Sequence, residues 1–472
     1  MNNKMNKLEY RGFISKKIPV LLKIEYEKYD PEKISAELIL LGTQEEFGRK
    51  FSACLGGDKY GNLKITGEKE DNYQVMLRNI SGWTHQQNNA TLYIDSFEYG
   101  ISDIPVKNPE NIYVTVELTP SGILRKWGSR ELHYDGSIKV RNGYPEEIEW
   151  DLDIGKGKAF TRYTYEEYKI FDNKATIQIE RPALTFEINT GANLSTSKIK
   201  EVVEKEARDF SLILSLCYRK LVNWYEINFC IIPKDRNTDI ISPIIRKKIY
   251  TKTYPDHEEE LINHRDLINN GLPTLVKNFR KSPISDALRR SITFLASSQA
   301  NNTIEVKYFL SIIALESFCD GFIEFENKKL KIPSGKWKKI EHQLRNALKS
   351  ISEQEELSQY IERIKKKLPE LKAMTTIDKI LHCCNALGIK ANDLWGSDRL
   401  ETGLRKALEI RNHLFHRAYC EDPYFLYANF VRIQVLTERL ILKHLKWPCE
   451  KIWRWYDQKI RRAEIDIIKL NT

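Results

Sequence analysis

The chain has 472 residues, 41% of them hydrophobic and 30% charged, a balance ordinary for a globular protein and long enough for two or three domains with real cores. That composition excludes wholesale disorder. The 75 lysines and arginines against 65 acidic residues give a net charge of +10, a modest excess that favours an anionic partner.

Eight cysteines (Cys54, Cys217, Cys230, Cys319, Cys383, Cys384, Cys420 and Cys449) are scattered without paired CxxC spacing. The start, Met1-Asn2-Asn3-Lys4-Met5-Asn6-Lys7, has no apolar leader, so reduced thiols in a cytoplasmic protein are expected. The longest apolar-rich run, Tyr308 to Cys319, contains Glu316, and no membrane span is expected.

From about residue 8 to 195 the pattern is strand-like. Val20, Leu22 and Ile24 alternate with other residues, Asp30-Pro31 supplies a turn, and Ala36 to Leu41 follows. Alternation returns at Ile112 to Leu118 and at Thr176 to Glu180, with turns at Asp135-Gly136, Asn142-Gly143 and Asp172-Asn173. The expectation is an α+β multidomain protein whose first domain, residues 1–195, is a β-rich, sandwich-like unit. Trp83, His85, Trp127, His133 and Trp150 fall in this region and read as packing aromatics, because strands are enriched in such residues.

A mixed α/β connecting region is expected over 196–284. Ile199, Val203, Ala207, Phe210, Leu214 and Cys217 follow a helical period with charged residues between them. Two apolar pieces, Tyr225 to Ile232 and Ile240 to Tyr250, then suggest a hairpin with a basic end at Arg246-Lys247-Lys248. The polar stretch Pro255 to Pro273 holds His257, Glu258, Glu259, Glu260, His264 and Asp266. It reads as an exposed acidic helix start, since no tight metal-ligand spacing recurs.

Residues 285–472 read as helix nearly throughout, an antiparallel bundle. The stretch around Lys336, Lys338 and Lys339 forms a cationic strip with two readings, an RNA contact or a solvated helix face. The tail from Lys451 to Arg462 interleaves Trp453, Trp455 and Tyr456 with basic residues. It would either stack bases and hold phosphates or dock the last helix.

The densest chemistry lies at Glu409 to Arg417. Leu400, Leu404, Leu408 and Phe415 recur at helical steps, so Asn412 and His416, four residues apart, share a face, with Arg411 about 100° to one side. Arg411 offers a permanently charged phosphate clamp and His416 an imidazole suited to proton transfer. Asn412 would orient the imidazole or donate to phosphate. Together they suit cleavage of RNA by its own 2′-hydroxyl, which needs proton transfer and compensation of charge on the phosphoryl oxygens. The competing reading is a buried polar network that stabilises the bundle. Glu316 would hydrogen-bond Arg411 or His416, or form an ordinary salt bridge within the bundle. His413 would shape the cleft, and Arg417 would contact RNA. Zinc at His416 and Cys420 lacks two further ligands, and no Walker loop or GxGxxG fingerprint is present, so neither metal nor cofactor is expected.

Arg411-Asn412-x-x-x-His416, late in a helical region and preceded by a helix bearing Glu316, resembles the RNxxxH motif of the HEPN superfamily. The domain order resembles that of ApeA-type anti-phage HEPN proteins. The resemblance covers about residues 285–447 and implies a metal-independent endoribonuclease with Arg411, Asn412 and His416 catalytic. It also implies a homodimer or higher homo-oligomer with a composite cleft, and products with a 2′,3′-cyclic phosphate and a 5′-hydroxyl. The substrate would be cellular RNA, tRNA among the candidates, with the β-rich half acting as sensor of a phage-derived trigger. The alternative is a noncatalytic HEPN module that binds RNA or protein.

Overall fold

The computed structural model of the chain describes residues 6–14, 18–26, 32, 34–41, 61–67, 73–86, 89–101, 111–119, 130–132, 138–140, 148–152, 155–170, 173–188, 195–232, 245–249, 260–262, 266–267, 271–300, 303–327, 332–351, 358–395, 400–417 and 422–448. Two compact units are present. One comprises residues 1–214, 222–258 and 263–273, the other 215–221, 259–262 and 274–472.

The first unit is an antiparallel β structure. Its strands are β1 (Asn6–Ile14), β2 (Ile18–Tyr26), β3 (Ile34–Leu40), β4 (Gly61–Gly67), β5 (Tyr73–Ile80), β6 (Gly82–Gln86), β7 (Asn89–Tyr93), β8 (Ser96–Ile101), β9 (Asn111–Leu118), β10 (Arg130–Leu132), β11 (Ile138–Val140), β12 (Ile148–Leu152), β13 (Gly155–Ile170), β14 (Asn173–Ile188), β15 (Trp224–Ile232) and β16 (Ile245–Ile249). Fourteen join one sheet in the order β12-β13-β14-β9-β15-β16-β8-β5-β4-β1-β2-β3-β7-β6, and β10 pairs with β11 apart from it. Period-two alternation sets which side chains face inward. Val20, Leu22, Ile24 and Tyr26 of β2 are buried while the residues between them are half-exposed.

The sandwich-like core arises because one sheet curls over itself. Tyr26 on β2 and Phe97 on β8 are four strand steps apart, roughly 19 Å in a flat sheet at about 4.8 Å per step. Their ring centroids are 5.3 Å apart. Lys248 on β16, one strand further, has its Nζ 5.2 Å from the centre of the Tyr26 ring and 5.5 Å from that of Tyr225. Curling brings the inward rows of β1 to β5, β7 and β8 into one core.

The expected hairpin forms as β15 and β16, and two residues of its basic end, Lys247 and Lys248, are drawn inward. Lys248 is fully buried, opposite Glu226 across the β15–β16 ladder, and Glu226 in turn faces Glu117 on β9. Two carboxylates and one ammonium are thus withdrawn from water together, which is tolerable only because opposite charges and aromatic faces surround the cation. Lys247 bridges Glu204 at 2.8 Å.

Helix α1 (Thr196–Cys217) lays Ile199, Val203, Ala207 and Phe210 on the sheet. The Phe210 ring stacks on Trp150 at 4.6 Å between centroids. Trp150 lies flat across Gly157, its register partner on β13, where a Cβ would sit 2.3 Å from the indole. Trp150 is therefore a packing residue. Trp83 and His85 have side chains outside the described residues, and Trp127 and His133 lie outside them entirely. The segment 196–284 is divided between the units, with most of α1 and both strands β15 and β16 belonging to the first.

The second unit is helical: α2 (Leu272–Lys281), α3 (Ser285–Ser298), α4 (Ile304–Phe325), α5 (Ser334–Ile351), α6 (Ser358–Lys367) with a 3-10 turn at Leu368–Lys372, α7 (Thr376–Ala386), α8 (Asn392–Trp395), α9 (Leu400–Arg417) and α10 (Pro423–His444). Helix α4 packs on α3 and α10, and Gly321 permits the close approach to α3, since a Cβ there would lie 2.2 Å from the Ala287 Cβ. Helix α10 starts at Pro423, capped by Asp422, whose carboxylate accepts from the amides of Tyr424 and Phe425. From Ala428 to Leu442 it is almost wholly buried, polar residues included. Glu438 takes Arg219 through two 2.9 Å hydrogen bonds, and Arg439 takes Asp393 at 2.6 and 2.8 Å. Among the described residues, no helix is long and apolar enough to cross a membrane.

Candidate functional site

The motif lies on α9, whose inner stripe is Leu404, Ala407, Ile410 and Leu414. The helix is held at mid-length by the Tyr308 hydroxyl of α4, which donates to the Ala407 carbonyl oxygen at 2.7 Å in a buried setting. Its N-terminal half is held by Gly403, which lies against the Trp395 ring. One turn beyond Ala407, Arg411 is half-buried, and its Nη1 lies 3.3 Å from Glu316 Oε1 on α4. The motif and the acidic helix expected to precede it do meet, and the partner of Glu316 is Arg411.

The rest of the motif faces outward. Asn412, His413, His416 and Arg417 are all exposed. The geometry disfavours the buried-network reading for these residues, because among the described residues only Arg411 of the motif is tied to a neighbouring helix. Phe415 departs from its place in the sequence period: it is 72% exposed, while Leu414 beside it takes the inner position. The spacing of Leu404, Ala407, Ile410 and Leu414 sets the true inner face, and Phe415 lies about 100° from it. Its ring meets the His416 imidazole edge-on, with centroids 5.6 Å apart. Sequence reading missed this exposed aromatic, although its place between Asn412 and His416 was the available signal.

The Glu316 carboxyl is pushed above its usual range, chiefly by burial, against the attraction of Arg411; Asp320 pushes it up further and Lys379 opposes that. Asp320, one turn along α4, bridges Lys379 of α7 at 2.7 Å, and Glu326 bridges His382 at 2.5 Å. Glu316 and Asp320 on α4, and Glu326 just beyond its end, thereby meet Arg411 of α9 and Lys379 and His382 of α7. The Arg411 Nε is buried and meets no acceptor among the described residues.

Lys336, Lys338 and Lys339 are exposed on α5, a different helix from the motif. Burial drives the Cys319 thiol well above the usual range, with the neighbouring Cys383 adding to the push, and Cys384 up to about 12. Such thiols stay protonated and inert. Among the described residues, no group of three or more His, Cys, Asp or Glu side chains converges as a metal site, and Cys420, Cys449 and the basic-aromatic tail lie outside them.

No family model matches the sequence, and no curated protein or solved structure matches the chain.

Proposed function

We propose that the chain is a metal-independent endoribonuclease of HEPN type, acting as a regulated anti-phage effector on RNA. The reading is carried by Asn412 and His416 exposed one turn apart on the outer face of α9, with Arg411 beside them anchored to Glu316. In the first step a 2′-hydroxyl oxygen attacks the adjacent phosphorus as a base removes its proton. The bond from phosphorus to the 5′-oxygen then breaks, and an acid delivers a proton to that oxygen, leaving a 2′,3′-cyclic phosphate and a 5′-hydroxyl. His416 serves as one member of this acid–base pair, and the His416 of a second protomer serves as the other. Arg411 compensates the charge that grows on the phosphoryl oxygens, and Asn412 orients the imidazole or donates to phosphate. Glu316 fixes the direction of the Arg411 guanidinium and so acts as a positioning residue.

The test is RNA cleavage by purified protein in EDTA. Replacing His416 by Ala should lower the rate about 10²–10⁴-fold, the range for loss of a general acid or base. Equal degradation by wild type and His416→Ala overturns the proposal and leaves a binding module in its place.

A further inference from the structure

On α5, Trp337, Ile340, Leu344, Ala347 and Ile351 recur at alternating steps of three and four, the seam by which one helix packs along another. Only Trp337 of this seam is buried. Ile340, Leu344 and Ile351 are 39, 37 and 45% exposed. Helix α6, which packs against α5, is divided in the same way: Ile361 is buried, while Tyr360 and Ile364 are 63 and 48% exposed. Each helix thus buries one residue of its apolar stripe, Trp337 on α5 and Ile361 on α6, and leaves the others exposed. Single exposed apolar residues need no explanation, but two neighbouring helices each exposing the rest of a stripe do.

Charge selects the occupant. Residues 334–367 carry nine lysines and arginines against five glutamates, a net +4 of the +10 of the whole chain. Lys336, Lys338, Lys339, Arg345 and Lys349 all lie on α5 and all are exposed, and only Glu341 opposes them there. A second copy would set two such basic segments against each other. An RNA finds one stacking plane here, Tyr360, and little use for Ile340, Leu344, Ile351 and Ile364, which offer neither stacking planes nor hydrogen bonds, whereas RNA sites use several aromatic platforms. A membrane-surface helix turns its tryptophan toward lipid, and here Trp337 faces inward. We infer that the uncovered edge of the α5–α6 pair docks an acidic amphipathic helix of another protein, whose aliphatic stripe extends the seam and whose carboxylates meet the flanking lysines.

The experiment uses the full chain and a labelled synthetic helix of three heptads with Leu at the two seam positions and Glu beside them, read by fluorescence anisotropy. Saturable binding is expected, weakened by salt, at least tenfold weaker for the double variant Ile340→Ser/Leu344→Ser, and absent for the same peptide with Lys replacing Glu. Circular dichroism of the double variant checks that these exposed substitutions leave the fold intact, and Lys338→Glu/Lys349→Glu should weaken binding by the electrostatic route alone. Absence of binding, equal binding by the seam variant, or a seam-dependent preference for phosphatidylserine vesicles or poly(U) over the peptide each overturns the inference. So does a homodimer in sedimentation equilibrium that the seam variant dissolves.

Discussion

Replacing Glu316 by Gln separates what the Arg411 pair does for stability from what it does for chemistry. Gross Coulomb attraction at 3.3 Å is about 5 kcal/mol at an effective dielectric of about 20. Against it stands the removal of a carboxylate from water, and the upward push on Glu316 shows that burial outweighs the cation. The net contribution of the charge to folding is therefore small or unfavourable. Gln keeps the shape and a hydrogen-bonding group, so Glu316→Gln should change the unfolding free energy by no more than about 1 kcal/mol, with a tendency to stabilise. In the folded protein the raised carboxyl binds a proton more readily than in the unfolded chain. Wild-type stability should accordingly fall as pH rises from the ordinary carboxylate range through the raised one, and Glu316→Gln should flatten that slope. Urea unfolding at several pH values measures both effects. RNA cleavage should nonetheless decline, because Arg411 loses the charge that fixes it. A loss of 3 kcal/mol or more, about what breaking a buried ion pair costs, would refute the reasoning and make the pair a structural clamp.

Two further substitutions test the packing around the site. Gly403→Ala gains roughly 1 kcal/mol of helix propensity, but its Cβ would sit 2.3 Å from the rigid Trp395 ring, and overpacking costs about 1–3 kcal/mol; net destabilisation by urea unfolding is expected, and a more stable variant contradicts the geometry. His444 is held below the usual imidazole range by burial; its ring lies edge-on to Phe318 and Phe322 and 2.8 Å from the Ser282 hydroxyl. The unfolded chain binds this proton more readily, so stability should fall as pH drops through about 6.5. His444→Phe should remove that part of the pH dependence in thermal unfolding scans.

Period-two alternation marked β2, β3 and β9, and helical spacing marked α9, because those signals are local. The motif was legible for the same reason: Asn412 and His416 share a face through helical geometry alone. Which face points outward was not legible there. Leu408 and Phe415 fit a helical period as well as Ile410 and Leu414 do, and only the positions of α4, α7 and α8 decide that the latter pair goes inward.

Composition and pattern by themselves determined a β-rich half followed by a helical half, together with the residues of the candidate site on α9. Tertiary structure decided the rest. It curled one sheet so that Lys248 is sealed between Tyr26 and Tyr225, it gave Arg411 to Glu316, and it left Phe415 in solvent. Each of these depends on residues far apart in sequence meeting in space. Burial and charge compensation are set by that meeting, and no local periodicity encodes it.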